Sequence, residues 1–207
     1  VWICSGQSNM QWTLAQLPKD DQGKKVAAAS ANPNIRLFNV ARRPMPEPQD
    51  TVPVSPADQQ PSDKVTINGR WMVCSPESSI NFSAVGYFFG RDLQKELNIP
   101  IGLIATNVGG TPAEAWTSKE GLLKEPDLVY YVDRVEAAKK SYDPVKVKAA
   151  YDAAMEKWKK DVAAAKKDNK PLPRAPQMPG PGNMTSGSPT GLYNAMIAPL
   201  LPFAVKG

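Results

Sequence analysis

The stretch from Ser83 to Thr106 restricts the possible folds more than any other part of this chain. Ser83 is placed to cap a helix, and Val85, Phe89, Leu93 and Leu97 recur every four residues as one apolar stripe. Gly86 and Gly90 stand one turn apart, which lets such a helix come close to a sheet or another helix. Asn98 and Pro100 end it, and Ile101-Gly-Leu-Ile-Ala-Thr106 follows at once, apolar and without charge. Helix, tight turn and uncharged strand together predict an α/β fold whose parallel sheet is covered on both faces. With 207 residues, 42% of them hydrophobic, the chain suffices for one domain, or a domain with an insertion, and a sizeable core.

Other segments take their places around that unit. Val1 to Cys4 reads as a short buried strand, with a helix expected from Met10 to Leu17. Asn32-Pro33-Asn34 signals a turn before a strand over Ile35 to Ala41, with Ile35, Leu37 and Val40 inward. Prolines recur between Pro44 and Asp63 and predict an extended loop or an edge excursion; Thr66 to Ser75 then resumes as a strand, with Asn68-Gly69 as a turn before it. Two helices are expected over 127–140 and 143–168, the second with Asp143 as cap and Pro144 at its first position. Val147, Tyr151, Ala154, Trp158 and Val162 give it an apolar face. Its other face mixes Lys148, Lys159, Lys160 and Lys166 with Asp152 and Glu156, and reads as solvated rather than as a membrane or acidic-partner surface. Residues 127–170 are thus expected to form a helical insertion, followed by a Pro/Gly-rich loop over 171–190. Phe203 to Gly207 reads as the approach to a further strand.

Composition removes several classes of function. The net charge of +5 comes largely from lysines in one helical segment without aromatic platforms beside them, so nucleic acid is not an expected partner. No apolar run approaches the roughly 20 residues of a membrane span, and no signal-peptide pattern is present. The chain contains no histidine, which excludes the usual histidine-containing zinc sites and a complete Ser-His-Asp triad within these residues. Neither metal nor cofactor is expected. Cys4 and Cys74 read as buried thiols or as a disulfide between neighbouring strands, and the sequence leaves both open.

Two turns carry the candidate chemistry. The first strand runs into Ser5-Gly6-Gln7-Ser8-Asn9 just before a helix, which exposes a serine hydroxyl at the carboxyl end of a sheet beside free backbone N–H groups. That arrangement suits an activated serine whose oxyanion needs donors set in advance, although Gly-x-Ser-x-Gly spacing is absent; an N-cap role for Ser8 is the plainer alternative. The strand over 101–106 empties into Asn107-Val-Gly-Gly-Thr-Pro-Ala-Glu-Ala-Trp116, where ligands bind in α/β sheets. Gly109-Gly110 allows close backbone approach, and Thr111 is placed to cap a helix begun by Pro112.

Gly6-Gln7-Ser8-Asn9-Met10 resembles the first block of the SGNH-type hydrolases, in the form found in sialate O-acetylesterases and related carbohydrate esterases. Asn107 to Trp116 resembles that family's second block, and Leu192-Tyr-Asn-Ala-Met-Ile-Ala-Pro199 is similar to a run found in sialate O-acetylesterases. The resemblance implies a three-layer α/β/α SGNH (flavodoxin-like) fold with a central parallel sheet, present here in part as residues 1–207 with the helical insertion. It also implies a serine O-acetylesterase acting on acetylated sugars of the sialic acid or xylan type. Ser8 falls on the nucleophile and Gly110 on the oxyanion-hole glycine, with Gly109 as second choice. Gln7, Asn9, Thr111, Tyr193 and Asn194 are candidates for the substrate surroundings, Gln7 and Asn9 more for orienting the turn than for moving protons.

The same resemblance places the histidine base, its aspartate and an amide donor in blocks that these residues do not contain. Expected partners are an acetylated carbohydrate and the remaining part of the same protein. A periplasmic or secreted location is the family's expectation. A non-catalytic glycan-binding module on a decayed hydrolase scaffold is the alternative from another class.

Overall fold

A computed structural model of the chain describes residues 1–17, 21–57, 59–62, 65–168, 170–176 and 180–205. Its centre is a four-stranded sheet of β1 (Trp2–Gly6), β2 (Asn32–Asn39), β3 (Trp71–Cys74) and β4 (Ile101–Asn107), in the order β1-β4-β2-β3. β4 pairs in parallel with β1 on one side and β2 on the other, with Leu103 facing Trp2 and Leu37. β3 joins β2 antiparallel, so the expected parallel sheet is mixed at one edge.

The uncharged β4 lies in the middle because both its faces are buried. Alternate residues divide between two cores. Cys4, Leu37, Leu103 and Ala105 belong to one, while Phe38 and Ile104 belong to the other. The first core is closed by α2 (Gln22–Ala28), α3 (Pro76–Ser79) and α4 (Ala84–Leu97). The second is closed by the 3-10 turn Ala113–Trp116 and by the turns of Tyr193–Ile197 and Ala198–Leu200.

Ser83 caps α4 as expected, its hydroxyl accepting from the Gly86 N–H at 3.1 Å. The face that α4 buries is nevertheless not the apolar stripe. Val85, Phe89 and Leu97 are exposed, and only Leu93 packs on the core. Ala84, Gly86, Tyr87 and Gly90 face inward instead. A Cβ at Gly86 would lie 2.9 Å from Cys4 Sγ, and one at Gly90 would collide with Leu103. The two glycines therefore set the helix against the sheet and leave Val85, Phe89 and Leu97 on its outer side. Phe89 stacks edge-on against Trp2 of β1, centroids 5.1 Å apart.

The helix expected over 10–17 is shorter. α1 spans only Ser8–Gln11, and a separate 3-10 turn covers Leu14–Gln16. Trp12 is extended between them (φ −56°, ψ 126°) because tertiary hydrogen bonds take over: Ala84 N–H donates to Trp12 O at 2.7 Å, and Ala15 N–H to Ile80 O at 2.9 Å.

Cys4 and Cys74 are free buried thiols. Their strands are the two outer ones of the sheet, three strand spacings or roughly 14 Å apart, beyond the reach of a disulfide. Burial pushes both thiols up to about 11.

Beyond the sheet, α5 (Lys119–Leu123) leads to α6 (Val129–Ser141) and α7 (Pro144–Lys167). Asp143 caps α7 by accepting from the Val145 and Lys146 N–H groups. Val132 and Val135 anchor α6, whereas α7 has no fully buried residue. Its apolar face is half-covered, and the Trp158 indole donates to Pro173 O at 2.9 Å. The opposite face is exposed, with Lys148–Asp152 and Lys159–Glu156 pairs. Phe203 to Val205 form no strand, and residues 206–207, like 177–179 of the loop, lie outside the described ones. No described helix is long and apolar enough to cross a membrane.

Candidate active site

Parallel pairing of β1 with β4 places their two outgoing turns side by side, with Gly6 opposite Asn107 and the Val108 N–H donating to Gly6 O at 3.1 Å. Two glutamines stitch the turns together. The Gln7 side-chain amide donates to Thr111 O, and the Gln11 side-chain oxygen accepts from the Gly109 N–H. Sequence reasoning missed Gln11, because nothing local links it to a residue 98 positions away.

Ser8 opens α1 and is exposed. The cap position belongs to Gln7, whose side chain makes no cap hydrogen bond, and Ser8 is the first residue inside the helix rather than its cap. A helix of four residues contributes little macrodipole, so any help to an anion here must come from individual N–H groups.

Gly109 and Gly110 differ in what they do. A Cβ on Gly109 would sit 2.9 Å from Ser8 Oγ and 3.2 Å from Ser8 Cα, so only glycine permits this approach. Gly110 has φ +71° and open space around it; its constraint is a left-handed backbone, not packing. The Gly109 N–H is engaged by Gln11, while the Gly110 N–H has no acceptor among the described residues.

The other candidates separate in the same way. The Thr111 hydroxyl donates to Val108 O at 2.7 Å and accepts from the Trp116 indole at 2.9 Å, so it braces the turn. The 3-10 turn begins at Ala113 with Pro112 as its cap position, one residue later than expected, and Thr111 does not cap it. Asn194 is buried, its amide donating to Met45 O and Thr190 Oγ1, and it ties the 44–61 loop to the turn at 193–197. Tyr193 lines a cavity of about 440 Å3 with Gly6, Gln7, Thr111 and Trp116. Ser8 and Asn9 line another of about 390 Å3 with Gln7 and Met10, and Gln7 is the wall between the two. Among the described residues no group of acidic, cysteine or histidine side chains could hold a metal.

Comparison with known proteins agrees with this architecture. The family model described as carbohydrate esterase, sialic acid-specific acetylesterase matches residues 1–151. Human sialate O-acetylesterase is 35% identical over 127 residues, covering 59% of this chain and 22% of the relative; the rat enzyme is 33% identical over the same length. A crystal structure of a carbohydrate acetylesterase from Xanthomonas citri superposes with a TM-score of 0.56 at 27% identity, covering all of this chain and 30% of that one. The chain therefore spans about a fifth to a third of the length of these relatives. With the family match reaching across both turns and the whole sheet, this chain belongs to the carbohydrate esterase family of sialic acid-specific acetylesterases.

Proposed function

We propose that this chain supplies the nucleophile and most of the oxyanion hole of a serine O-acetylesterase for acetylated sugars. The observation that carries the reading is the packing of Gly109 against Ser8, which brings the serine hydroxyl and the glycine turn to one rim. In this reading Ser8 Oγ attacks the acetyl carbonyl, and the Ser8 and Gly110 N–H groups receive the charge that forms on its oxygen. Gly110 is favoured over Gly109 because the Gly109 donor already has an acceptor in Gln11. Gln7 and Gln11 hold the two turns in register. Tyr193 and Trp116 form the wall of the cavity beside Gln7, a surface for a sugar ring.

The base is proposed to come from a histidine outside these 207 residues, since the chain has none. That histidine removes the serine proton and returns it to the sugar oxygen; water then releases acetate. A binding module on a decayed scaffold gains nothing from an exposed serine beside an unengaged N–H, so those features favour the esterase. The test is hydrolysis of p-nitrophenyl acetate. Turnover should be negligible for the 207 residues alone, appear when the remaining domain is present, and fall about 10⁴-fold or more in Ser8→Ala. Robust Ser8-dependent turnover by the 207 residues alone would remove the case for an outside base.

A further inference from the structure

Among the described residues, those other than glycine with a left-handed backbone are Asp21, Asn98, Asn183 and Thr190. Aspartate and asparagine accept that conformation readily. Thr190, at φ +61°, is β-branched, and its Cβ crowds the neighbouring carbonyl there. It is also buried, only 4% exposed. A residue keeps such a backbone only where its surroundings hold it. Three polar atoms of Thr190 are held. Its N–H donates to Glu114 O at 2.8 Å, its carbonyl accepts the Asn194 N–H at 2.8 Å, and Oγ1 accepts the Asn194 side-chain amide at 3.3 Å. Glycine would adopt this backbone without cost but could not supply the hydroxyl oxygen. The strained choice therefore goes with a side-chain contact that the easy choice lacks.

These bonds lead to the two segments that carry the wall of the cavity beside Gln7. Glu114 belongs to the 3-10 turn Ala113–Trp116, and Asn194 to the turn Tyr193–Ile197. Trp116, Tyr193 and Ile197 all line that cavity. Thr190 thus joins the tryptophan side of the wall, through its N–H, to the tyrosine side, through its two oxygens. The rim around Ser8 is tied by other bonds: Gln7 to Thr111 O, the Gly109 N–H to Gln11, and the Thr111 hydroxyl to Val108 O. From this division we infer that Thr190 is a positioning residue, setting the gap between Trp116 and Tyr193 for the sugar while acyl chemistry at Ser8 runs independently of it. The inference rests on the esterase reading above. The stiff rotamer of a β-branched side chain suits the task, because it aims the hydroxyl at one partner. The same Asn194 amide also donates to Met45 O at 3.1 Å, so the 44–61 loop is secured at the same point.

The experiment compares two substrates in the complete enzyme: an O-acetylated sialic acid, and p-nitrophenyl acetate, which carries the acetyl group without a sugar. Thr190→Val keeps the shape and the N–H but removes the hydroxyl. KM for the sugar should rise about 5- to 10-fold, the loss of one buried hydrogen bond, with kcat unchanged. Hydrolysis of p-nitrophenyl acetate should stay at the parental rate, which also shows that the variant is folded. Thr190→Gly keeps the N–H and removes the backbone strain, so it guards against misfolding; it should show the same split between the substrates. Thr190→Ser, which restores the hydroxyl, should return KM to near the parental value. Equal losses on both substrates, or an unchanged sugar KM in the valine and glycine variants, would overturn the positioning role and leave the esterase standing. A Ser8→Ala enzyme that still hydrolyses both substrates would instead overturn the esterase reading, whatever Thr190 does.

Discussion

The sheet with its two turns and the α6–α7 pair are built on opposite principles. In the sheet, partners come from far along the chain: Leu37 and Leu103 are both buried to about 1% or less, and Gln7 reaches a carbonyl 104 residues away. In α7, support is local. Its ion pairs join residues three or four apart, its cap is the residue before it, and no residue is fully buried. Long-range burial fixes side chains to fractions of an ångström, whereas local helix pairs set only the presence of the helix. The candidate chemistry lies entirely in the first kind of region.

Substitutions can break that contrast or sharpen it. Gly109→Val should have the largest effect, a fall in kcat of about 10²-fold or more, because a side chain there displaces Ser8 Oγ; unaltered turnover would mean that Gly109 and Ser8 do not share a site. Leu103→Ala should cost 2–5 kcal/mol in urea unfolding, roughly the range for a fully buried leucine. Trp158→Ala, on the half-covered face of α7, should cost about 1 kcal/mol and leave kcat unchanged; a larger loss would show that α7 is integral to the sheet region. Lys148→Ala should shift stability by less than about 0.5 kcal/mol, as exposed pairs do.

The thiols add a test by pH. Burial raises Cys4 and Cys74 from 9.0 to about 11, so the folded state holds their protons where the unfolded chain releases them. Stability from this source is complete below pH 9 and is lost as pH rises from 9 to about 11. Thermal melting of a Cys4→Ala/Cys74→Ala protein should show a shallower decline over that interval. A native chain whose thiols react with a disulfide reagent at pH 8 as fast as in denaturant would contradict their burial.

Much of the sheet was legible because apolar runs, caps and prolines act locally. Ser83, Asp143 and Pro144 sit where their chemistry predicts, and Ile35 and Leu37 point inward as their alternation requires. The stripe Val85, Phe89 and Leu97 misled because periodicity reports hydrophobicity, while the face of α4 that meets the sheet is chosen by the smallness of Gly86 and Gly90. The helix over 10–17 was lost to hydrogen bonds with residues 80–84, which no local pattern records. At the candidate site, Ser8 and the two glycines stood out through spacing. Gln11 did not, because the N–H it accepts from lies 98 positions away.

The pairing of β1 with β4 has a consequence for how the protein comes into being. During translation the opening strand leaves the ribosome about a hundred residues before the segment that will lie against it. At about 5–20 residues per second, that is an interval of roughly 5–20 s in which the nascent serine turn has no companion strand. The two turns therefore meet only once β4 has emerged, and a ribosome stalled before residue 101 would hold the Ser8 turn without the glycine turn that packs against it.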